Sequence, residues 1–389
     1  MRKTNKIYKI VICVILIVSL CGCWNKHELN ELGIVMGVGV DKAPREDKVQ
    51  ITAQVVKPGE IKSMGGKSSG GSKNKTFWNI KDTGDCVFDT IRDMTNQSSR
   101  KLYFPHNQVV IYGRSIAEEG LAKYLDFFFR DHETRVNVYI LIADGSASDV
   151  LDVEPQLEQM PAVNIAKVVV SQANATSQTI AVRLKDFKSR LMSGTTAPVA
   201  PIIGIIGTDE EKVAEITGTA VFKKDKLVGE LNKTEGRGLL WVLGEVKSGI
   251  IKVNSSSDNP VNLEIVRAKA KYSPEIKDGK VKIKISILEE GTIAEQSGSE
   301  DLSSTSEIEF LEKQKSEAIK SEVLAAFAKA KELNADIFGF GDAINDKYPI
   351  EWKTMKDDWD NIFQTIEVDV NVQAKLRLMG RINKPVLSK

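Results

Sequence analysis

The sequence predicts an α+β protein of several domains, in which mixed β-sheets are each flanked by helices. In the first half, apolar runs typical of strands alternate with segments of helical spacing, as in helices packed on a sheet. In the second half, two long alternating strands precede one long amphipathic helix. The 389 residues, less 22 for the export signal described below, leave 367, enough for two or three domains.

The N-terminus has the pattern of an export signal. Arg2, Lys3, Lys6 and Lys9 form a basic head without an acid, and the apolar run 10–21 follows. A membrane-spanning helix needs roughly twenty apolar residues, whereas this run has twelve. A basic head, a short apolar middle and small residues at the end are typical of a cleaved signal.

The segment Leu20-Cys21-Gly22-Cys23 resembles the lipobox of bacterial lipoproteins. The resemblance implies that a diacylglyceryl group is attached to the Cys23 thiol and that residues 1–22 are removed. An ordinary secretory peptide that happens to contain cysteines is the alternative. Processing would leave only Cys23 and Cys86, so an acylated Cys23 leaves Cys86 without a disulfide partner. Because Cys86 lies beside apolar residues, we expect it to be a small core residue.

The charge balance argues against several kinds of partner. The signal carries four of the 54 basic residues and none of the 53 acidic ones, so the mature chain has 50 against 53. No basic block stands out, so nucleic acid is not an expected partner. The sequence has no polybasic cluster that would bind anionic lipid. It also has no second apolar run long enough to span a membrane. Since two acyl chains give stable attachment, the lipid at Cys23 is the predicted anchor.

The first predicted domain, 23–155, alternates strands and helices. A buried strand, 32–40, and a strand with one covered face, 49–56, precede a mobile loop rich in glycine and serine, 57–76. The pattern then predicts helices at 85–96 and 115–130 and strands at 107–112 and 136–143.

A helical middle region, 156–210, separates this domain from the rest of the chain. The pattern predicts helix in two pieces between residues 162 and 193. Two prolines and two glycines at 198–207 then break regular structure, which places the main domain boundary there.

The C-terminal domain, 211–389, combines a sheet with a long helix. Strands 216–222 and 227–231 join through the loop 223–226 and precede a short helix, 238–246. Strands 261–272 and 280–288 flank Lys277-Asp278-Gly279, a hairpin turn in which Asp-Gly supplies the required positive φ. A final strand is predicted at 364–377.

Ser304 and Glu307 have capping-box spacing at the start of the long amphipathic helix, which runs to about residue 333. We expect its apolar face to lie on the preceding sheet. A coiled coil with another chain is the alternative, but Lys315 and Glu322 interrupt the heptad pattern.

The sequence predicts no catalytic, metal or cofactor site. His27, His106 and His132 are far apart, and a zinc site needs three or four ligands. Residues 66–70 formally match a nucleophile elbow, but they lie in the Gly/Ser-rich tract and not at a strand–turn–helix junction. No P-loop or complete dinucleotide fingerprint is present. We therefore expect neither enzymatic activity nor a cofactor.

Two aromatic clusters remain, at 102–109 and at 336–342, the second followed by Trp352 and Trp359. Exposed aromatics would mark a binding surface, whereas buried aromatics would fix the long helix against its neighbours. The seven-residue spacing of Trp352 and Trp359, which is one face of a helix, favours burial.

Several of these segments together resemble the Ger(x)C family, the lipoprotein C subunits of nutrient germinant receptors in endospore-forming bacteria. The mature start resembles the family in Cys23-Trp24-Asn25, Glu28-Leu29 and 37–42. Further matches follow in order at Phe104-Pro105-His106, Arg130-Asp131, 218–222, 227–229, 238–241, 336–341 and the Trp352/Trp359 pair. Asn25 stands where the family usually has aspartate, a difference that does not affect lipidation at Cys23.

The resemblance implies a three-domain protein, held by its lipid on the outer face of the spore inner membrane and assembled with integral-membrane A and B subunits. It implies no enzymatic activity. It also makes a direct small-molecule ligand unexpected, since germinant recognition in the family is attributed mainly to the membrane subunits. Two other classes stay open. A solute-binding lipoprotein would need two similar lobes around a cleft, and an extracytoplasmic hydrolase would need a nucleophile or metal constellation.

Overall fold

The computed structural model describes residues 28–44, 48–63, 75–208 and 211–378. Within these ranges the strands form two sheets, one of nine strands and one of four, and helices pack on both. The predicted α+β architecture of mixed sheets flanked by helices is confirmed.

The nine-stranded sheet has a parallel centre and antiparallel flanks. Its strands are β1 (Leu32–Lys42), β2 (Val49–Val56), β3 (Phe77–Gly84), β4 (Lys101–Tyr103), β5 (Val109–Tyr112), β6 (Tyr139–Ala143), β7 (Val199–Ile206), β8 (Val213–Lys223) and β9 (Lys226–Leu231). They lie in the order β3-β2-β1-β5-β6-β7-β8-β9, and β4 pairs with the start of β1. Strands β1, β5, β6 and β7 run parallel, so helical crossovers must cover the faces of the sheet.

Helices cover both faces of the central strands. They are α2 (Val87–Asp93), α3 (Arg114–Glu119), α4 (Ala122–Arg130), α5 (Ala147–Asp152), α6 (Pro161–Ala175) and α7 (Leu184–Ser193). The short helix α1 (Pro58–Ser63) follows β2, and its described side chains contribute to neither core. Apolar residues of α2, α3, α4 and α7 pack into one core on the first face. Those of α5 and α6 form a second core on the opposite face.

The prediction that residues 49–56 form a strand with only one covered face is wrong. Strand β2 is buried on both faces, because α5 and α6 cover the side that carries Thr52 and Gln54. The Gln54 side chain donates to Leu151 O at 2.8 Å and accepts from Ala162 N at 2.9 Å. A polar residue within a strand therefore marks a bond to the covering helices and not a solvent-facing side.

Three other predicted elements differ from the structure in whole or in part. The helix predicted at 115–130 is divided into α3 and α4 at Gly120, which has a φ of 131°. The proposed break at 198–207 is wrong, because Val199–Ile206 forms the fully paired strand β7. Residues 199–204 of β7 are buried in the sheet, and this packing outweighs the local preferences of the proline and glycine among them, while Ile205 and Ile206 at its end are exposed. The predicted loop 57–76 begins with α1, and its residues 64–74 lie outside the described residues.

The nine-stranded sheet passes through the predicted domain boundaries near residues 155 and 210. Strands β7 and β8, on either side of residue 210, pair in antiparallel register, with Val199 opposite Val221. One sheet thus takes strands from all three of the predicted regions 23–155, 156–210 and 211–389. The division into domains stays a prediction, and the signal at 1–22 lies outside the described residues.

The four-stranded sheet contains β10 (Gly249–Asn254), β11 (Pro260–Lys277), β12 (Lys280–Gln296) and β13 (Glu367–Leu378), in that order. Strands β11 and β12 form the predicted hairpin, and Asp278 and Gly279 have φ values of 50° and 74° as its turn requires. Strand β13 pairs parallel to β12, so the chain must cross over the sheet before it returns.

The remaining helices lie in two connections, one helix between β9 and β10 and four in the crossover between β12 and β13. They are α8 (Lys233–Leu243), α9 (Thr305–Glu332), α10 (Phe340–Lys347), α11 (Pro349–Met355) and α12 (Trp359–Thr365). Helix α9 is the predicted amphipathic helix, and its buried stripe includes Ile319, Val323 and Phe327. Ser304 caps it by accepting from Glu307 N, while the Glu307 carboxylate bonds to Ser256, so only half of the capping box forms.

Helix α9 carries a buried ion pair into the sheet. Lys315 donates to a Glu289 oxygen at 2.6 Å and to Glu264 O at 3.1 Å, and neither side chain of the pair is exposed. Burial raises the pKa of Glu289 to about 7 and lowers that of Lys315. The lysine that interrupts the heptad pattern therefore faces the sheet, as the sheet-packed prediction for this helix requires.

Helices α8 and α9 cross at very short distance and join the two sheets. A Cβ placed on Gly238 would lie 2.0 Å from the backbone oxygen of Glu322. The Glu322 carboxylate accepts from Trp241 Nε1 at 2.8 Å and pairs with Arg237. Since α8 follows β9 directly and α9 covers the second sheet, one hydrophobic core runs without interruption from β1 to β13.

We predict that Gly238→Ala lowers the free energy of unfolding by about 1–3 kcal/mol or more, because the new methyl group forces the two helices apart. Gly59→Ala in α1 is the matched control, since its Cβ would meet nothing within 4 Å. Its better helix propensity should leave stability unchanged or raise it by up to about 1 kcal/mol. Urea unfolding measures both variants, and equal effects would contradict the close crossing.

We also predict that Lys315→Met costs about 3–5 kcal/mol, because it leaves the Glu289 carboxylate buried without its cation. The double variant Lys315→Met/Glu289→Leu should recover most of that loss, since no buried charge remains. Lys375→Met, which removes an exposed partner of Glu312, should change stability by no more than about 1 kcal/mol. Urea unfolding measures the stability of all three variants. A double variant that is no more stable than Lys315→Met would contradict the buried ion pair.

Candidate functional site

The predicted lipidation site, Cys23, lies outside the described residues, as does the signal before it. Attachment of lipid there stays a prediction. Across the residues that the structure describes, no helix is long and apolar enough to cross a bilayer.

The described residues bring together no metal-binding group. His106 and His132 are both exposed and lie on separate segments. No three His, Cys, Asp or Glu side chains converge on a common point anywhere in 28–44, 48–63, 75–208 and 211–378. His27 and the formal elbow match at 66–70 fall outside these ranges.

The prediction that Cys86 is a core residue is wrong, because the structure exposes it. Cys86 is the residue before α2, where the chain turns from β3 into the helix. The neighbouring Val87 is buried, whereas Phe88 is 47% exposed. The apolar neighbours of Cys86 therefore did not predict its burial, because successive side chains at this turn point in different directions.

The segment 37–42 that contributes to the family resemblance builds the junction of β1 with α5 and α6. The Asp41 carboxylate accepts from Ala147 N at 2.7 Å and from Ser148 N at 2.9 Å, which caps the start of α5. Burial raises the pKa of Asp41, and these hydrogen bonds oppose the shift. A Cβ on Gly37 would lie 2.7 Å from that of Ala162, so glycine lets α6 approach the strand.

The first aromatic cluster, 102–109, belongs to the core below β5. Phe104 is 5% exposed and packs edge-on against Phe127 with ring centroids 6.5 Å apart. Asn107 is also buried, and only His106 at the turn is exposed. Most of this cluster is therefore structural, while the partly exposed Tyr103 ring lies 5.8 Å from that of His106 at the surface.

The second cluster is organised around the buried carboxylate of Asp336. Its oxygens accept four backbone N–H groups, from Phe338 at 3.2 Å, Gly339 at 2.9 Å, Phe340 at 3.1 Å and Gly341 at 2.8 Å. Burial still raises its pKa to about 6, against the opposing effect of these bonds. The carboxylate holds the chain in a tight turn into α10.

The same turn is tied to the end of α7 by Asp342. Its carboxylate accepts from Ser193 at 2.8 Å, from Thr195 at 3.1 Å and from Thr196 at 2.6 Å. The segment after α7 leads into β7 of the large sheet, whereas α10 belongs to the crossover of the small one. The motif at 336–342 is therefore a second junction between the two sheets.

Trp352 and Trp359 pack on this junction. They are 8% and 5% exposed, with rings 5.2 Å apart and edge to face, so the expected burial is confirmed. The proposed common helix is wrong, because a 3₁₀ turn at 356–358 separates α11 from α12. Trp359 Nε1 is buried and finds no hydrogen-bond acceptor among the described residues.

A cavity of about 120 Å³ lies beside Trp359 at this junction. Arg190 of α7 forms one wall, where its Nη1 donates to Ala197 O at 3.2 Å and to Ile337 O at 2.8 Å. Lys223, at the end of β8, forms another wall and pairs with Asp360 at 2.7 Å. Sequence reasoning did not find Arg190 or Lys223, because they converge from distant segments without any local motif.

Two family profiles match nearly the whole chain. The profile described as spore germination protein N-terminal domain matches residues 25–205. The profile described as spore germination B3/GerAC like, C-terminal, matches residues 217–380. The gap between the two matches lies at the connection from β7 to β8.

Individual proteins are similar along their full length. Spore germination protein KC of Bacillus subtilis (strain 168) is 26% identical over 97% of this chain and 96% of its own. Spore germination protein B3 of the same organism is 24% identical over 97% and 99%. The crystal structure of the GerBC protein shares the fold, with a TM-score of 0.54 and 21% identity over 87% of this chain and 96% of that one.

The segments at 37–42, 238–241 and 336–341, which are among those that resemble the family, each hold a junction of this fold. The profiles and the full-length relatives cover those segments in one continuous order. The chain belongs to the Ger(x)C family of spore germination proteins.

Proposed function

We propose that this chain is a lipid-anchored subunit of a nutrient germinant receptor on the outer face of the spore inner membrane. It acts in germination by assembling with integral-membrane A and B subunits. Neither catalysis nor independent capture of a nutrient is its task. The observation that carries the proposal is the family membership, which extends over both parts of the chain.

The architecture supports assembly over solute capture. A solute-binding lipoprotein closes two similar lobes around its ligand by bending at a hinge. Here the two sheets differ, with nine strands and four, and a continuous core joins them. The crossing at Gly238 and the bonds to Asp342 further tie the sheets together. Such a body suits a rigid scaffold for partners.

The buried acids of the described residues support a role without chemistry. Asp41 caps a helix, Asp336 holds a turn, Glu289 pairs with Lys315, and Glu322 binds two residues of α8. Each of these carboxylates is held by donors of the fold, although Asp41 and Asp336 also line cavities.

The lipid at Cys23 would hold such a scaffold at the membrane surface, where its partners are. Confinement to the membrane surface raises the effective concentration toward integral-membrane partners without any new contact. A subunit that works in this way depends on its anchor even when its fold is intact.

Cys23→Ala should therefore leave the signal uncleaved, or release the protein from membranes after cleavage at another site. Membrane fractionation with mass spectrometry of the N-terminus measures both outcomes. Cys86→Ala is the matched control, because Cys86 is the one other cysteine that processing would leave, and it should remain processed and bound. Tight binding of a processed Cys23→Ala chain would contradict lipid anchoring.

A chain that lacks residues 1–23 should fold, fail to support germination and leave its membrane partners mislocalised or lost. Fusion of the same chain to an unrelated lipoprotein signal should restore germination, because only confinement was missing. Calorimetry of the released form with amino acids, sugars and nucleosides should show no specific micromolar binding. An interaction of that strength, about −8 kcal/mol, would revive the solute-binding alternative.

A further inference from the structure

The cavity at the junction of the two sheets is lined by three basic side chains, Arg190, Lys223 and Lys224, and by two acidic ones, Asp336 and Asp360. The Arg190 guanidinium is largely buried, and burial lowers its pKa. The guanidinium donates to two backbone carbonyl oxygens, Ala197 O and Ile337 O. The nearby acids Glu245 and Asp336 favour its charged form, but among the described residues neither forms an ion pair with it. Burial of a guanidinium without a direct ion pair is costly, so an anion bound against it would be stabilised.

The acids in the same wall do not supply that anion. Both oxygens of Asp336 are taken by the four backbone N–H groups of its turn. Asp360 is paired with Lys223, whose ammonium also donates to Asn334 O, so a ligand would share this lysine with both. Lys224, the residue after Lys223 in the turn between β8 and β9, adds a further positive charge to the cavity lining. Among the lining side chains, three basic groups thus face two acidic ones whose oxygens are already bonded.

A neutral donor lines the same space. Trp359 is 5% exposed and contributes to the cavity wall, while its Nε1–H lacks an acceptor in the described part of the chain. Leaving a buried donor unpaired costs free energy that an incoming oxygen atom would recover. A guanidinium, an ammonium group and an indole N–H on one cavity are a donor set for an oxyanion.

The size of the cavity limits the ligand. Sites for drug-sized molecules measure roughly 300–1,000 Å³, and this space measures about 120 Å³. A carboxylate or phosphate group fits within it, whereas a sugar or nucleoside does not. The cavity therefore differs from a site for capture of a large nutrient.

We propose that this cavity binds a small oxyanion, a carboxylate or phosphate group, between Arg190, Lys223 and the indole N–H of Trp359. Its walls come from α7 and β8 of the large sheet and from α12 of the crossover in the small one. A bound oxyanion strengthens the junction of the two sheets by bridging donors on both sides. This site is independent of the assembly role proposed above.

The test follows the indole N–H signals of the tryptophans by NMR. The full-length, lipid-anchored protein in detergent micelles is labelled with ¹⁵N at tryptophan only, and Trp359→Phe identifies the Trp359 signal by its loss. Sodium acetate and sodium phosphate are titrated separately at constant ionic strength against sodium chloride. At about 0.1 M salt, exposed charges are screened beyond roughly 10 Å, which suppresses binding to surface lysines.

The Trp359 signal should move downfield and saturate with acetate, with phosphate or with both, and the anion that acts identifies the ligand class. The Trp241 signal is the internal reference and should stay in place, because its N–H already donates to Glu322 at 2.8 Å. Arg190→Gln should weaken binding about tenfold or more. Lys185→Gln, an exposed position on the same helix, should leave it unchanged.

A Trp359 signal that moves with neither anion overturns the proposal. So does an equal response in wild type and Arg190→Gln, since the anion then binds elsewhere. If Arg190→Gln fails to fold, which loss of the Trp241 signal reveals, Lys223→Gln decides in its place. An unchanged affinity in a folded Lys223→Gln variant would then count against the site.

Discussion

The close crossing of α8 and α9 is the constraint on which the rest of this structure depends. Helix α8 leaves the last strand of the nine-stranded sheet, and α9 covers the four-stranded sheet. Gly238 lets the two backbones approach. At the contact, the Glu322 carboxylate pairs with Arg237 and accepts a hydrogen bond from Trp241. Because one core continues through this crossing, the two sheets behave as one packed body and not as lobes around a hinge.

Buried carboxylates are the second organising feature, and each holds a connection between distant segments. Asp41 fixes α5 to β1, Asp336 and Asp342 fix the start of α10, and Glu289 holds Lys315 against the sheet. Desolvation of a carboxylate is costly, so these acids persist where several donors converge. Asp41 and Asp336 lie in segments that resemble the family, whereas Asp342 and Glu289 lie outside them.

Where the family segments build internal junctions, they do not mark the surface that meets a partner. The assembly surface must be sought among exposed residues, and the cavity beside Arg190 is a separate feature of the interior. A body whose two sheets share one core is consistent with the proposed receptor subunit, whose position, more than its chemistry, would give it a role.

The sequence by itself determined the class of fold, the β11–β12 hairpin, the course of α9 and the family. Local physics sufficed there, since Asp278-Gly279 supplies its own turn and the α9 stripe needs only helical periodicity. Tertiary structure alone decided the burial of β2 on both faces, the exposure of Cys86 and the strand at β7. It alone placed Arg190 and Lys223 beside Trp359, because contacts between residues far apart in the chain leave no periodic trace in the sequence.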